Sequence, residues 1–338
     1  MNTVDKSNLK EVILNEFNQF EKGFSFVGDA KVGLKFKTVT ISGMGGSALP
    51  ANIVDAYARD LINRKKARNS LRVHINRYYS LPAEAYDESL NIVCSFSGNT
   101  EESISALNEA IDKKLPVVGI SAGGKLEEIC SKEGVVHIKI KDLEEGFQPR
   151  MATGYFFAII LKLLINEGVI DDVSSEIEKE SLEFKSAIAE SEEEGRRIAG
   201  RLTGKTPVIY SNDQMKSIAM IWKIKINENS KTPAFWNYFP ELNHNEMVGF
   251  TNPQANFSFV MIRDLDDNPQ NVKRFEVMAK LMNDKGMEVE IVDVREKSVF
   301  SKLFKMLYLG DWVSYYLAME YKQDPTPVDM VEDFKVMI

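Results

Sequence analysis

Two short stretches of the chain hold the residue types that could do chemistry. Gly43-Met44-Gly45-Gly46-Ser47-Ala48 follows the apolar run 37–42, and Ser95-Phe96-Ser97-Gly98-Asn99-Thr100 closes the run 91–95. Each reads as the junction between a strand and the helix after it. Glycines there let the backbone approach a ligand closely, and a helix N-terminus offers unpaired N–H groups and a positive dipole end. An anion suits both places, and the hydroxyls of Ser47, Ser95, Ser97 and Thr100 add donors. The first stretch also fits GxGxxA, a dinucleotide fingerprint that wants a carboxylate at the end of the second strand. That strand ends His74-Ile75-Asn76-Arg77, so the carboxylate is missing, although Arg77 could meet a 2′-phosphate. It is not a Walker A loop, because the GK[ST] ending is absent. A plain N-cap by Asn99 or Thr100 is the structural alternative at the second stretch.

The elements that must position these loops alternate. Apolar runs at 37–42, 72–76, 91–95, 116–121 and 135–140 predict strands, and 48–62, 100–114 and 125–133 predict helices between most of them. Strands alternating with helices imply a mostly parallel sheet covered on both faces. An amphipathic helix is expected over 3–21, a strongly apolar one over 151–167, and a charge-rich connecting helix over 174–202. A second α/β rhythm follows, with strands at 207–211, 257–262 and 288–294 and helices at 213–227, 269–285 and 298–321. The expected division is 1–150, a helical connection 151–204, a second α/β domain 205–322, and a tail 323–338 that ends in a short helix.

Composition narrows the function classes. The 338 residues are 44% hydrophobic and 27% charged, an ordinary globular balance. A net charge of −8 argues against nucleic acid as the main partner. No apolar run approaches the roughly 20 residues that span a bilayer, and Met1 to Phe20 lacks the apolar centre of a signal peptide. Cys94 and Cys130 are the only cysteines, which argues against a disulfide framework and makes a cytoplasmic location the expectation. His74, His137 and His244 lie far apart, without HExxH or CxxC spacing, so no metal is expected.

SFSGNT after a strand, preceded by GMGGSA, resembles the phosphosugar-binding fold of the SIS (sugar isomerase) proteins. In the second half, Glu228-Asn229-Ser230-Lys231, Pro233-Ala234-Phe235-Trp236 and Pro240-Glu241-Leu242-Asn243-His244-Asn245-Glu246 resemble the bifunctional phosphoglucose/phosphomannose isomerases, a branch of the phosphoglucose isomerase superfamily. The pair Pro149-Arg150 and the tail from Asp324 to Val328, with Lys335 beyond it, agree with that branch.

The resemblance implies two doubly wound SIS domains with a C-terminal helical tail, and an aldose–ketose isomerisation of hexose 6-phosphates without cofactor or metal. It implies that Ser95, Ser97 and Thr100, with Ser47 and the Gly45 and Gly46 amides, hold the sugar phosphate. Glu228 becomes the base that carries a proton between C1 and C2. His244 becomes the ring-opening group, acting in the partner subunit's site of an obligate homodimer. Arg150 faces the enediolate, and Lys335 assists ring opening. A phosphosugar-binding regulator or an amino-sugar isomerase on the same fold is the alternative, and an NADP oxidoreductase the more distant one.

Overall fold

The computed structural model describes residues 4–33, 36–144 and 147–337. The chain forms two compact units, one of residues Asn15–Lys185 and one of Met1–Leu14 with Ser186–Ile338. This differs from a division at residue 150. The apolar segment after Arg150 is not a connection. It is helix Thr153–Asn166, buried nearly all round, and it belongs with the first sheet.

The unit 15–185 contains strands β1 (Thr38–Ser42), β2 (Arg72–Asn76), β3 (Ser89–Cys94), β4 (Val117–Ser121) and β5 (Val136–Lys139). They form one parallel sheet in the order β2-β1-β3-β4-β5. β3 and β4 are buried along their whole length, which explains why they read as unbroken apolar runs rather than alternating ones. Helices α3 (Leu49–Asn63), α4 (Glu101–Asp112) and α5 (Gly124–Glu133) make the crossovers; of the two helices at the start of the chain, α1 (Leu9–Asn15) falls in the other unit but for its last residue, and α2 (Gln19–Val27) in this one. The single helix expected over 3–21 is two, separated by a 3-10 turn at Glu16–Asn18; Thr3, its expected start, lies outside the described residues. The apolar helix 153–166 is α6, and α7 runs from Ser174 to Leu202 as the charge pattern predicted.

The other unit repeats the design with four parallel strands, β6 (Thr206–Asn212), β7 (Phe235–Phe239), β8 (Phe257–Asp264) and β9 (Glu288–Val294), in the order β7-β6-β8-β9. β7 is the strand the sequence reading lacked. Its residues Phe-Trp-Asn-Tyr-Phe show no alternation, because an edge strand buries only part of each face. Helices α8 (Lys216–Ser230), α9 (Pro269–Asp284) and α10 (Val299–Glu320) cover this sheet, and α11 (Asp329–Met337) ends the chain. α8 and α10 are joined by buried polar bonds: Lys225 to Asp311, Asn229 Nδ2 to Ser314 Oγ at 2.9 Å, and Ser230 Oγ to the Ser314 carbonyl at 2.8 Å. Among the described residues no helix is long and apolar enough to cross a membrane.

Candidate active site

In an open parallel sheet, ligands bind beyond the carboxyl ends of the strands, where the strand order reverses. In the unit 15–185 that point lies between β1 and β3, and these are the two strands that run into the GMGGSA and SFSGNT stretches. The loops are physically joined there: the Phe96 N–H donates to Ser47 Oγ at 2.8 Å.

The internal bonds of the loops leave several hydroxyl and amide hydrogens uncommitted. Ser47 Oγ accepts from Phe96, and Ser97 Oγ accepts from the Asn99 N–H at 3.2 Å. Ser95 Oγ donates to Thr100 Oγ1 at 3.0 Å and accepts from the Thr100 N–H at 3.4 Å. A hydroxyl that accepts internally keeps its own hydrogen to give. Ser47, Ser97 and Thr100 therefore each keep an O–H to offer, while Ser95, fully buried, uses its own on Thr100. Ser95 thus orients Thr100. The turn Gly45–Ser47 is a 3-10 helix in which the Ser47 and Ala48 N–H groups bond back to Met44 and Gly45. The first amides of such a turn, those of Gly45 and Gly46, have no partner inside it.

Two glycines are demanded by close approach. A Cβ on Gly46 would stand 2.6 Å from the Arg150 nitrogen, so the turn lies against the short 3-10 helix Pro149–Met151. Arg150 is 1% exposed, and its Nη1 donates to Gln148 Oε1 at 3.2 Å. A Cβ on Gly98, whose φ is +70°, would stand 1.7 Å from the Gly123 carbonyl oxygen. The turn Gly123–Gly124 after β4 is thus a third loop at this edge, tied to the second by Leu126 N to Gly98 O at 2.9 Å and Lys125 N to Asn99 Oδ1 at 3.2 Å. The sequence reading missed it, although two adjacent glycines between a strand and a helix were the visible signal.

The remaining candidates belong to the other unit, on three different elements. Glu228 is half-buried in the last turn of α8. Lys231 follows it in the left-handed region, and its Nζ bonds the carbonyls of Glu228 at 2.6 Å, Asn229 at 3.3 Å and Pro325 at 3.3 Å. That cation closes the helix C-terminus, where carbonyls and dipole favour it. His244 is exposed at the end of the 3-10 turn Glu241–His244. Lys335 is exposed on α11 and pairs with Glu332 at 2.7 Å.

The second sheet's own reversal point, between β6 and β8, is unlike the first. Lys302 Nζ bonds both oxygens of Asp264, at 2.8 and 2.9 Å, and Asp266 at 2.9 Å, while Asn212 Nδ2 donates to Asp267 at 2.9 Å. Three carboxylates against one lysine make an edge that repels phosphate. Among the described residues no three His, Cys, Asp or Glu side chains gather as a metal site. Burial pushes the Cys94 and Cys130 thiols up, Cys130 to about 11, so neither is a nucleophile at neutral pH.

Comparison with known proteins adds a lineage to this geometry. Over 341 residues, covering 96% of this chain and 97% of the other, the chain is 35% identical to the bifunctional phosphoglucose/phosphomannose isomerase of Caldicellulosiruptor bescii. The chain belongs to the bifunctional phosphoglucose/phosphomannose isomerase family. The same-named protein of Aquifex aeolicus is 32% identical over 327 residues, with 96% of each chain covered. The family described as bacterial phospho-glucose isomerase C-terminal SIS domain matches residues 191–338. Among solved structures, the C-terminal domain of glucosamine-fructose-6-phosphate aminotransferase from Francisella tularensis shares the fold, with a TM-score of 0.70 at 16% identity, covering 96% of this chain and 98% of that one.

Proposed function

We propose that this chain is an aldose–ketose isomerase that interconverts fructose 6-phosphate with glucose 6-phosphate and with mannose 6-phosphate. The observation that carries the reading is the pairing of a glycine-rich and a hydroxyl-rich loop at the β1–β3 edge, bonded to each other through Phe96 and Ser47. Charge-assisted hydrogen bonds to a phosphate are the strong kind, and a fixed cluster of O–H and N–H donors holds a dianion on an acidic protein without a matching number of cations.

With the phosphate held by Ser47, Ser97, Thr100 and the Gly45 and Gly46 amides, and Ser95 supporting Thr100, the reaction needs three more roles. Glu228 takes the proton from one carbon and returns it to its neighbour, as a general base and then an acid. Arg150 stabilises the enediolate oxygen, since a fixed cation in a site that excludes water is worth far more than one in bulk solvent. His244 and Lys335 move protons during ring opening. Protonating C2 from either face of the enediolate gives glucose or mannose configuration. The chemistry opens a hemiacetal and shifts a proton, with no electron or phosphoryl group changing hands. We therefore assign no metal or nucleotide, and activity should persist in EDTA. The exposed His244 is consistent with a homodimer in which each subunit lends its histidine to the other, and the reading places the enzyme in the cytoplasm.

The test is a coupled assay with fructose 6-phosphate that scores glucose 6-phosphate and mannose 6-phosphate separately. Formation of both supports the reading. Formation of neither by folded protein, with sugar phosphate still bound, points instead to a binding regulator on the same fold.

A further inference from the structure

We infer that Glu246 is a positioning residue for ring opening: its carboxylate, held at both oxygens, fixes the turn that carries His244. The inference rests on the reading of His244 given above. His244 is exposed, and among the described residues its imidazole has no hydrogen-bond partner, so its backbone sets its direction. That backbone is fastened on both sides. Leu242, two residues before, is buried in a core cluster with Phe239, Phe259 and Phe275. Asn243 Oδ1 accepts from Arg274 Nη1 at 3.1 Å.

Two residues after His244, Glu246 reaches into the sheet. Its Oε1 accepts from the Tyr210 hydroxyl of β6 at 2.6 Å, and its Oε2 accepts from Asn237 Nδ2 of β7. One carboxylate thus bridges two neighbouring strands. Both donors are neutral. Lys223 lines the same cavity of about 450 Å³ but forms no ion pair with Glu246 among the described residues. Ion pairing therefore does not explain a half-buried carboxylate here, whereas the two-strand clasp does. A glutamine keeps both partners only by turning its NH₂ to the Tyr210 oxygen and its own oxygen to Asn237, which replaces two charge-assisted bonds by weaker neutral ones. Asn237 cannot turn its own oxygen toward a glutamine NH₂ without giving up the bond its Oδ1 accepts from the Tyr238 N–H at 2.8 Å. Between the clasp and the histidine, Asn245 closes the link by accepting from the Glu246 N–H at 2.6 Å and donating to Glu241 Oε1 at 2.8 Å.

The test separates ring opening from proton transfer. Full-length wild type, Glu246→Gln, Glu246→Ala and His244→Ala are compared in three assays. The first is anomerisation of glucose 6-phosphate, which needs ring opening only. The second is conversion of fructose 6-phosphate, giving kcat and KM. The third is isomerisation of a tetrose 4-phosphate, whose phosphorylated O4 cannot close a five-membered ring. A displacement on the order of 1 Å costs up to about 10²-fold, so Glu246→Ala, which removes the clasp, should slow anomerisation about tenfold or more and Glu246→Gln less, with KM and the tetrose rate within about twofold. If His244→Ala slows anomerisation but both Glu246 variants leave it unchanged, this inference alone falls. If the tetrose rate drops as far as anomerisation, Glu246 supports the unit generally and the inference is overturned. If His244→Ala itself leaves anomerisation unchanged, the role of His244 falls, and that of Glu246 with it.

Discussion

Replacing Gly98 with alanine tests the proposed phosphate loop at the point where its geometry leaves least room. Gly98 sits at φ +70°, and an added Cβ would meet the Gly123 oxygen at 1.7 Å and the Gly123 carbon at 2.8 Å. Both obstacles are backbone, so no rotamer change relieves them. Ordinary contact begins near 3.4 Å, and the two loops must part by roughly 1.7 Å. The left-handed conformation itself costs an alanine about 1–2 kcal/mol. Parting the loops pulls on Leu126 N to Gly98 O and on Lys125 N to Asn99 Oδ1, the bonds that hold Ser97 and Thr100 in place. A hydrogen bond to a charged group contributes about 1.5–3 kcal/mol, so losing one raises KM for fructose 6-phosphate about 10- to 100-fold. The chemistry at C1 and C2 does not use these hydroxyls, so kcat should change less than about threefold. The measurement is steady-state kinetics in the coupled assay, with inorganic phosphate as a competitive inhibitor whose Ki should rise in parallel. A circular dichroism melt establishes that the variant is folded. A folded Gly98→Ala protein with wild-type KM and Ki would refute the argument that these loops hold phosphate.

Other perturbations address other links in the argument. Glu228→Gln keeps the shape of the side chain but removes its basicity, and turnover should fall about 10²–10⁴-fold while sugar phosphate still binds; unchanged turnover would remove Glu228 as the base. Lys225→Met takes away the ammonium that faces buried Asp311 and should cost about 3–5 kcal/mol in a urea titration, whereas Lys225→Met with Asp311→Leu should recover much of it. His137 is held below its ordinary pKa by burial, with Ser121 Oγ 2.9 Å from its Nε2. Its folded value is therefore lower than its unfolded one, so its contribution is present at neutral pH and is lost as pH falls below about 6.5. Wild type should lose melting temperature between about pH 7 and pH 5 more steeply than His137→Gln; equal slopes would show that His137 is not the group responsible.

Much of this was legible because the relevant forces are local. A run such as Thr38–Ser42, β-branched and apolar, closed by glycines and followed by a helical pattern, specifies a strand, a turn and a helix with no knowledge of the rest of the chain. The positions of the two loops at the β1–β3 edge were legible for the same reason, since each is the turn that ends its own strand. β7 was not. Its aromatic run lacks a period because half-burial at a sheet edge imposes none. The break at Glu16–Asn18 was equally hidden, since Leu9, Val12, Ile13 and Phe20 fit a single amphipathic period that continues through it.

From the linear order of residues alone came the alternation of strands and helices, the two glycine- and serine-bearing turns, and a charge balance that disfavours nucleic acid. Each depends on neighbours within a few positions, where propensity, periodicity and turn chemistry act. Tertiary structure alone decided what those turns do together. It set Phe96 on Ser47, Gly98 under Gly123, and Gly46 against Arg150. It also closed the second sheet's edge by bringing Lys302 to Asp264 and Asp266. Such contacts join residues 25 to 104 positions apart. They are selected by close packing and by the need to satisfy buried polar groups, which no local pattern records.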